Sequence, residues 1–162
     1  MALEIERKFL VISDNWQRLG TPEVVRQGYL SRDIERTVRV RIKGDKAFLT
    51  IKGRNEGAVR TEFEYAIPTD EAAVLLDTLA LKPLIEKTRT KVAYGGKIWE
   101  IDRFFGENEG LVLAEVELAS ENETVQLPPW IGQEVTHLTR YYNSALSERP
   151  YCEWTEEEKA GL

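Results

Sequence analysis

The stretch LEIERKFLV carries Glu4, Glu6 and Lys8 at every second position. Side chains two apart on an extended backbone share a face and lie roughly 7 Å apart, so this stretch turns two carboxylates and an ammonium toward the same space. The pattern recurs along the chain. Arg39, Arg41 and Lys43 interleave with Val40 and Ile42; Thr50 and Lys52 flank Ile51; Glu62 and Glu64 flank Phe63; Lys87, Arg89 and Lys91 keep the same period; Glu100 and Asp102 flank Ile101; Glu115 and Glu117 flank Val116. Any one of these segments reads equally as a sheet with its apolar face on the core and its charged face in water. Taken together, they segregate sign by strand: two segments are wholly basic and three wholly acidic. Like charges held so close repel, and the repulsion is relieved when a multivalent anion lies against the bases and divalent cations lie against the acids.

The residue inventory narrows that chemistry. His137 is the sole histidine and Cys152 the sole cysteine, which removes zinc sites of the Cys/His type and any internal disulfide. A metal site must therefore use carboxylate oxygens, the ligands of hard cations such as Mg²⁺ or Mn²⁺. His137 lacks a partner acid at readable spacing and is expected on a helix surface. Cys152 has no activating neighbour, and Trp16, Trp99, Trp130 and Trp154 are expected in packing. Tyr29 fits a ligand-facing position and a packed one equally well. With 162 residues and a formal net charge of −6, the chain is expected to be one domain whose surface repels nucleic acid and anionic membrane. It shows no apolar leader and no run long enough to span a bilayer, which points to the cytoplasm.

These groups need strands to carry them. Eight segments alternate and are rich in β-branched and aromatic residues: LEIERKFLV, VVRQGYL, TVRVRIKG, KAFLTIKG, RTEFEYAI, IEKTRTKVAY, KIWEIDRFF and LVLAEVELA. Lys43-Gly44-Asp45 and Tyr94-Gly95-Gly96-Lys97 suit hairpin turns, so successive strands are expected to be neighbours. About eight antiparallel strands can close into a barrel whose interior holds one small ligand. Two helices are expected, one capped by Thr69-Asp70-Glu71 ahead of Ala72, Leu75, Leu76 and Leu79, the other with Val135, Leu138, Tyr142 and Ala145 on one stripe. TEEEKAGL reads as a solvated or frayed tail.

Glu4-Ile5-Glu6-Arg7-Lys8 resembles the ExExK signature of the CYTH superfamily, the triphosphate tunnel metalloenzymes. The blocks Gln27-Gly28-Tyr29-Leu30, Arg39-Val40-Arg41, Leu49-Thr50-Ile51-Lys52-Gly53, Glu62-Phe63-Glu64, Lys87-Thr88-Arg89, Glu100-Ile101-Asp102, Ala114-Glu115-Val116-Glu117, Glu134-Val135-Thr136 and Arg140-Tyr141-Tyr142-Asn143 continue the resemblance along nearly the whole chain. It implies a mainly β (α+β) fold over 1–150: an eight-stranded antiparallel closed β-barrel, or tunnel, with a charged interior and a C-terminal helix as plug. Residues 151–162 would form an acidic tail.

The resemblance further implies Glu4, Glu6, Glu115 and Glu117 as metal ligands for Mg²⁺ or Mn²⁺. Lys8, Arg39, Arg41, Lys52, Lys87 and Arg89 would form the triphosphate clamp, and Glu62 and Glu64 would position water. Glu4, Glu6, Lys8, Glu62 and Glu64 are then the expected catalytic group. Lys43, Arg54, Arg60 and Lys91, nearer strand ends, are set aside as solvated. The expected activity is metal-dependent hydrolysis of inorganic triphosphate. A class IV adenylate cyclase, a nucleoside or thiamine triphosphatase, and a non-enzymatic polyphosphate- or nucleotide-binding module are the alternatives. The partner is a small triphosphate, with neither nucleic acid nor membrane; a homodimer is allowed.

Overall fold

The computed structural model describes residues 3–162. All eight alternating segments are strands: β1 (Leu3–Val11), β2 (Pro22–Ser31), β3 (Arg36–Lys43), β4 (Lys46–Gly53), β5 (Val59–Ile67), β6 (Ile85–Tyr94), β7 (Lys97–Phe104) and β8 (Val112–Glu117). They close antiparallel in the order β1-β5-β4-β3-β2-β6-β7-β8 and back to β1. The β3–β4 and β6–β7 hairpins turn on two residues each, at Gly44-Asp45 and Gly95-Gly96. The three glycines have φ of 60°, 60° and 78°, the left-handed region that such turns require and that glycine occupies without strain. Sequential strands are neighbours within β2–β5 and β6–β8. The expectation fails at β1, which lies between β5 and β8 rather than beside β2.

A ninth strand, β9 (Ile131–Glu134), was not expected. β1 pairs with β5 only over Leu3–Ile5; beyond that the freed edge is taken by β9, with Phe9 opposite Glu134 and Val11 opposite Ile131. The Lys8 amide donates to Thr136 Oγ1 and the Val135 amide to the Lys8 carbonyl. Gly132 permits the approach, since a Cβ there would stand 2.6 Å from Ile12 Cγ2.

The apolar rows pack outward. Phe9, Trp16, Trp99, Ile101, Val116 and Trp130 form one outer cluster. A second is covered by helix α1 (Thr69–Thr78), whose Ala72 and Leu76 sit on Val40 and Ala47. α1 carries no side-chain cap; Pro68 is its N-cap residue, and Asp70 and Glu71 instead place negative charge in the first turn. The expected second helix is not continuous: Val135 extends β9, residues 139–141 make a 3₁₀ turn, and only α2 (Asn143–Leu146) is α-helical. Its apolar residues have another use. Tyr141, Leu146 and Trp154 pack with Ile85, Phe104 and Leu113, which lie in phase with Lys87, Asp102 and Glu115 on the inward rows. The barrel interior therefore has an apolar floor beneath its charged layer. The terminal residues are ordered by α3 (Glu156–Lys159), which has a Thr155–Glu158 capping box, and by the Arg149–Glu158 ion pair at 2.6 Å. No helix among the described residues is long and apolar enough to cross a membrane.

Candidate active site

The inward rows enclose a cavity of about 240 Å³. Glu4, Glu6 and Lys8 come from β1; Arg39, Arg41 and Lys43 from β3; Thr50 and Lys52 from β4; Arg60, Glu62 and Glu64 from β5; Arg89, Glu100, Glu115 and Glu117 from β6 to β8. Tyr29, Thr37, Asn143 and Ser144 complete the wall. Register sorts the charges. Glu6 faces Glu117, and Lys8 faces Glu115. Glu100 faces Glu115, Lys52 faces Glu62, and Glu4 faces Arg60.

The basic side is buried yet incompletely paired. Arg39 and Arg41 approach Glu64 only at 3.9 and 3.8 Å, and the Nε of each is buried without a partner. Burial, then repulsion from Arg39 and Arg89, pushes Arg41 down to about 10. Arg39 Nη2 donates to Thr50 Oγ1 at 3.3 Å, but buried guanidiniums that repel one another and each keep an unpartnered Nε are the chemistry of an anion site. Deeper in the wall, Asp102 accepts from Lys87 Nζ at 2.7 Å and from Arg89 Nε and Nη2 at 2.7 and 2.8 Å. Burial alone would push this carboxyl up, but Arg89 and Lys87 hold it well below the usual carboxylate range. Lys87 is itself pushed down to about 8 by burial, against the pull of Asp102.

The acidic side shows the opposite strain. Burial, with Glu115 and Glu4 adding repulsion, raises the Glu6 carboxyl well above its usual range. Glu62 is pushed up to about 7 by its hydrogen bond to Glu4 and by burial. Glu4 settles at about 2, burial being outweighed by Glu62 and Lys52. Among the described residues no three carboxylates form a ready-made ligand cage. An all-oxygen, mutually repelling donor set nevertheless fits a hard cation that draws its remaining ligands from phosphate oxygens and water. Glu6 and Glu117 face each other across β1 and β8, Glu4 is held by Lys52 at 3.0 Å, and Glu115 lies against Lys8 at 3.9 Å.

Every residue expected at the site lines the cavity except Lys87, which is 1% exposed and lies behind the wall. Two residues set aside as solvated, Arg60 and Lys43, do line it; Arg60 is in phase with Glu62 and Glu64, and counting back by two along β5 would have found it. Arg54 and Lys91 are exposed, as expected. Tyr29 takes both expected positions, lining the cavity and packing with Ile85, Phe104 and Tyr141. His137 and Cys152 are exposed and away from the cavity.

A closed antiparallel barrel whose interior sets a basic wall against an acidic one defines a class of protein that holds a small polyanion inside its sheet. The chain belongs to the CYTH family, matching the CYTH domain over residues 2–151. It is 48% identical over 156 residues to an inorganic triphosphatase of Acetivibrio thermocellus, covering 96% of this chain and 100% of that protein. With an inorganic triphosphatase of Nitrosomonas europaea the identity is 37% over 153 residues, 89% of this chain and 96% of that protein. The crystal structure of the inorganic triphosphatase NE1496 matches with a TM-score of 0.65 and 35% identity, covering 91% of this chain and 95% of that one.

Proposed function

We propose that this chain is a metal-dependent triphosphatase that cleaves inorganic triphosphate to pyrophosphate and phosphate, with Mg²⁺ or Mn²⁺ as its cation. The observation that carries the reading is the lining of the cavity. Seven acidic residues (Glu4, Glu6, Glu62, Glu64, Glu100, Glu115, Glu117) and seven basic ones (Lys8, Arg39, Arg41, Lys43, Lys52, Arg60, Arg89) line it, and Tyr29 is its one aromatic among the described residues. A nucleobase or thiazole would need apolar surface that this wall does not offer; a bare phosphate chain needs only charge and donors. With every carboxylate ionised the two sets cancel, so a polyanion alone would unbalance them, and cations entering with it would restore neutrality and keep Glu6 and Glu62 ionised. The two inorganic triphosphatases similar along nearly the whole chain support the same substrate.

In this reading Arg39, Arg41, Lys52 and Arg89 bind the phosphate oxygens and fix the chain in line, Lys8 neutralises charge beside Glu115, and Glu62 and Glu64 orient the attacking water. A divalent cation held by Glu4, Glu6 and Glu117 would neutralise charge on the phosphates. Phosphoryl transfer needs positioning and charge stabilisation more than covalent chemistry, and the closed wall supplies both. The lone Cys152 suits a reducing cytoplasm. The test is phosphate release from inorganic triphosphate, nucleoside triphosphates, thiamine triphosphate and pyrophosphate, each with Mg²⁺ and Mn²⁺. Fastest release from inorganic triphosphate is expected. Cyclic AMP from ATP, or tight binding without turnover under either metal, would overturn the assignment.

A further inference from the structure

Asn143 opens α2 and, with Ser144, lines the cavity. Its neighbours set its amide orientation. Lys87 Nζ stands 3.3 Å from Asn143 Oδ1, and Gln27 Nε2 stands 3.2 Å from the same atom. An ammonium has donors only, so the atom facing Lys87 must be the oxygen. Gln27, fully buried, must then present its own amide nitrogen to that oxygen. With Oδ1 turned to both donors, Nδ2 is directed away from them and donates to no protein group among the described residues. Lys87 does not itself line the cavity.

We propose that Asn143 is a substrate ligand whose Nδ2 donates to a phosphate oxygen on the α2 side of the cavity, with Gln27 and Lys87 as positioning residues that hold the amide that way round. The proposal rests on the reading of the cavity as a triphosphate site. Two donors on Oδ1 polarise the amide, which strengthens Nδ2 as a donor, so the buried charge of Lys87 acts on the phosphate through Asn143. Phosphate oxygens, which only accept, are the complement this amide selects.

The test compares Asn143→Ala with Asn143→Asp. The Asp variant is nearly isosteric and accepts from Lys87 and Gln27 at least as well as Asn, but it cannot donate and it repels phosphate. A residue that merely anchored Lys87 and Gln27 would be rescued by Asp; a phosphate donor would be harmed further. KM and kcat for inorganic triphosphate, and the rise in Tm caused by triphosphate without divalent cation, are measured for each variant. We expect KM to rise about tenfold or more in Asn143→Ala and further in Asn143→Asp, with kcat changed less. The triphosphate-induced shift in Tm should shrink in the same order, while ligand-free Asn143→Asp is at least as stable as Asn143→Ala. Asn143→Asp matching the wild type, or binding triphosphate better than Asn143→Ala, overturns the proposal. Should Asn143→Ala not fold, Asn143→Asp against the wild type decides it alone. A wild-type protein that releases no phosphate from triphosphate would defeat the triphosphatase reading instead, and the shifts in Tm would still decide the role of Asn143.

Discussion

Lys52 Nζ donates to both carboxylate oxygens of Glu4, at 3.0 and 3.1 Å, inside the cavity. A base from β4 and an acid from β1, read from sequence as a phosphate ligand and a metal ligand, neutralise each other across the barrel. Triphosphate and a divalent cation would compete for the two partners separately. Ligand-free stability and ligand binding therefore draw on the same charges.

Glu4→Gln and Glu6→Gln should nearly abolish phosphate release while the fold is kept, since each removes a charge from the proposed cation site at almost constant volume. For Glu6→Gln, loss of a carboxyl repelled by Glu115 and Glu4 should hold or raise the ligand-free Tm. Full turnover in either variant at limiting metal would remove that residue from the site.

Arg39→Ala and Arg41→Ala should weaken triphosphate binding by about 1.5–3 kcal/mol, the range for a hydrogen bond to a charged group. Both side chains are buried, and Arg41 is held down by Arg39 and Arg89 as well as by burial, so the ligand-free variants should keep or gain stability. Circular dichroism that shows both unfolded would identify these arginines as structural instead.

Asp102→Asn should be the costly change. It leaves Lys87 and Arg89 buried without their shared negative charge and with one acceptor oxygen in place of two, a loss of about 3–5 kcal/mol for a broken buried pair, or a fall in Tm on the order of 10 °C. The carboxyl of Asp102 lies below its unfolded value of about 3.9, so its contribution to stability is complete above about pH 4 and is lost as the pH falls below that. The acid limb of the stability profile should flatten in Asp102→Asn. A variant with wild-type Tm and an unchanged acid limb would contradict the ion-pair account.

Lys87 behaves oppositely at high pH. Its ammonium is at about 8 in the folded protein, below the unfolded value of about 10.4. Between the two the folded state binds fewer protons, so this group's contribution to stability rises with pH while the charge it offers falls. Triphosphate affinity should drop above about pH 8, and the drop should vanish in Lys87→Met. Calorimetric titrations at pH 7 and pH 9 check this.

Triphosphate added with Ca²⁺, provided that pair binds without turnover, should raise Tm by roughly 5–10 °C at a hundredfold excess over Kd. At 0.5 M NaCl, with a Debye length of roughly 4 Å, a clamp enclosed by the barrel should keep most of that shift. A shift seen only at low salt would mean that the charges bind from a solvated surface.

Much of the site was legible because side-chain period in a strand is a property of the backbone. Once LEIERKFLV is extended, Glu4, Glu6 and Lys8 share a face whatever lies across from them, and the same holds for Arg39 with Arg41 and for Glu115 with Glu117. Their segregation by sign then pointed to an interior. Arg60 is legible by the same count; its place near a strand end reads as solvated, and closure of the barrel turns that end into wall.

Period and composition are therefore local information: which residues share a face, where the chain turns, and that one cysteine and one histidine are too few for an internal disulfide or a Cys/His zinc site. Which faces meet depends on long-range packing. The Lys52–Glu4 contact joins residues 48 apart in the chain, and Lys87–Asn143 joins residues 56 apart. The β9 pairing, with Glu134 opposite Phe9, exists because β5 diverges from β1 after Ile5, which no local pattern encodes. The apolar stripe of Val135, Leu138, Tyr142 and Ala145 read as a helix because periodicity records only that residues are buried. Sheet edge and barrel floor offered burial in other backbone conformations, and long-range packing outweighed the weak helical preference of a short segment.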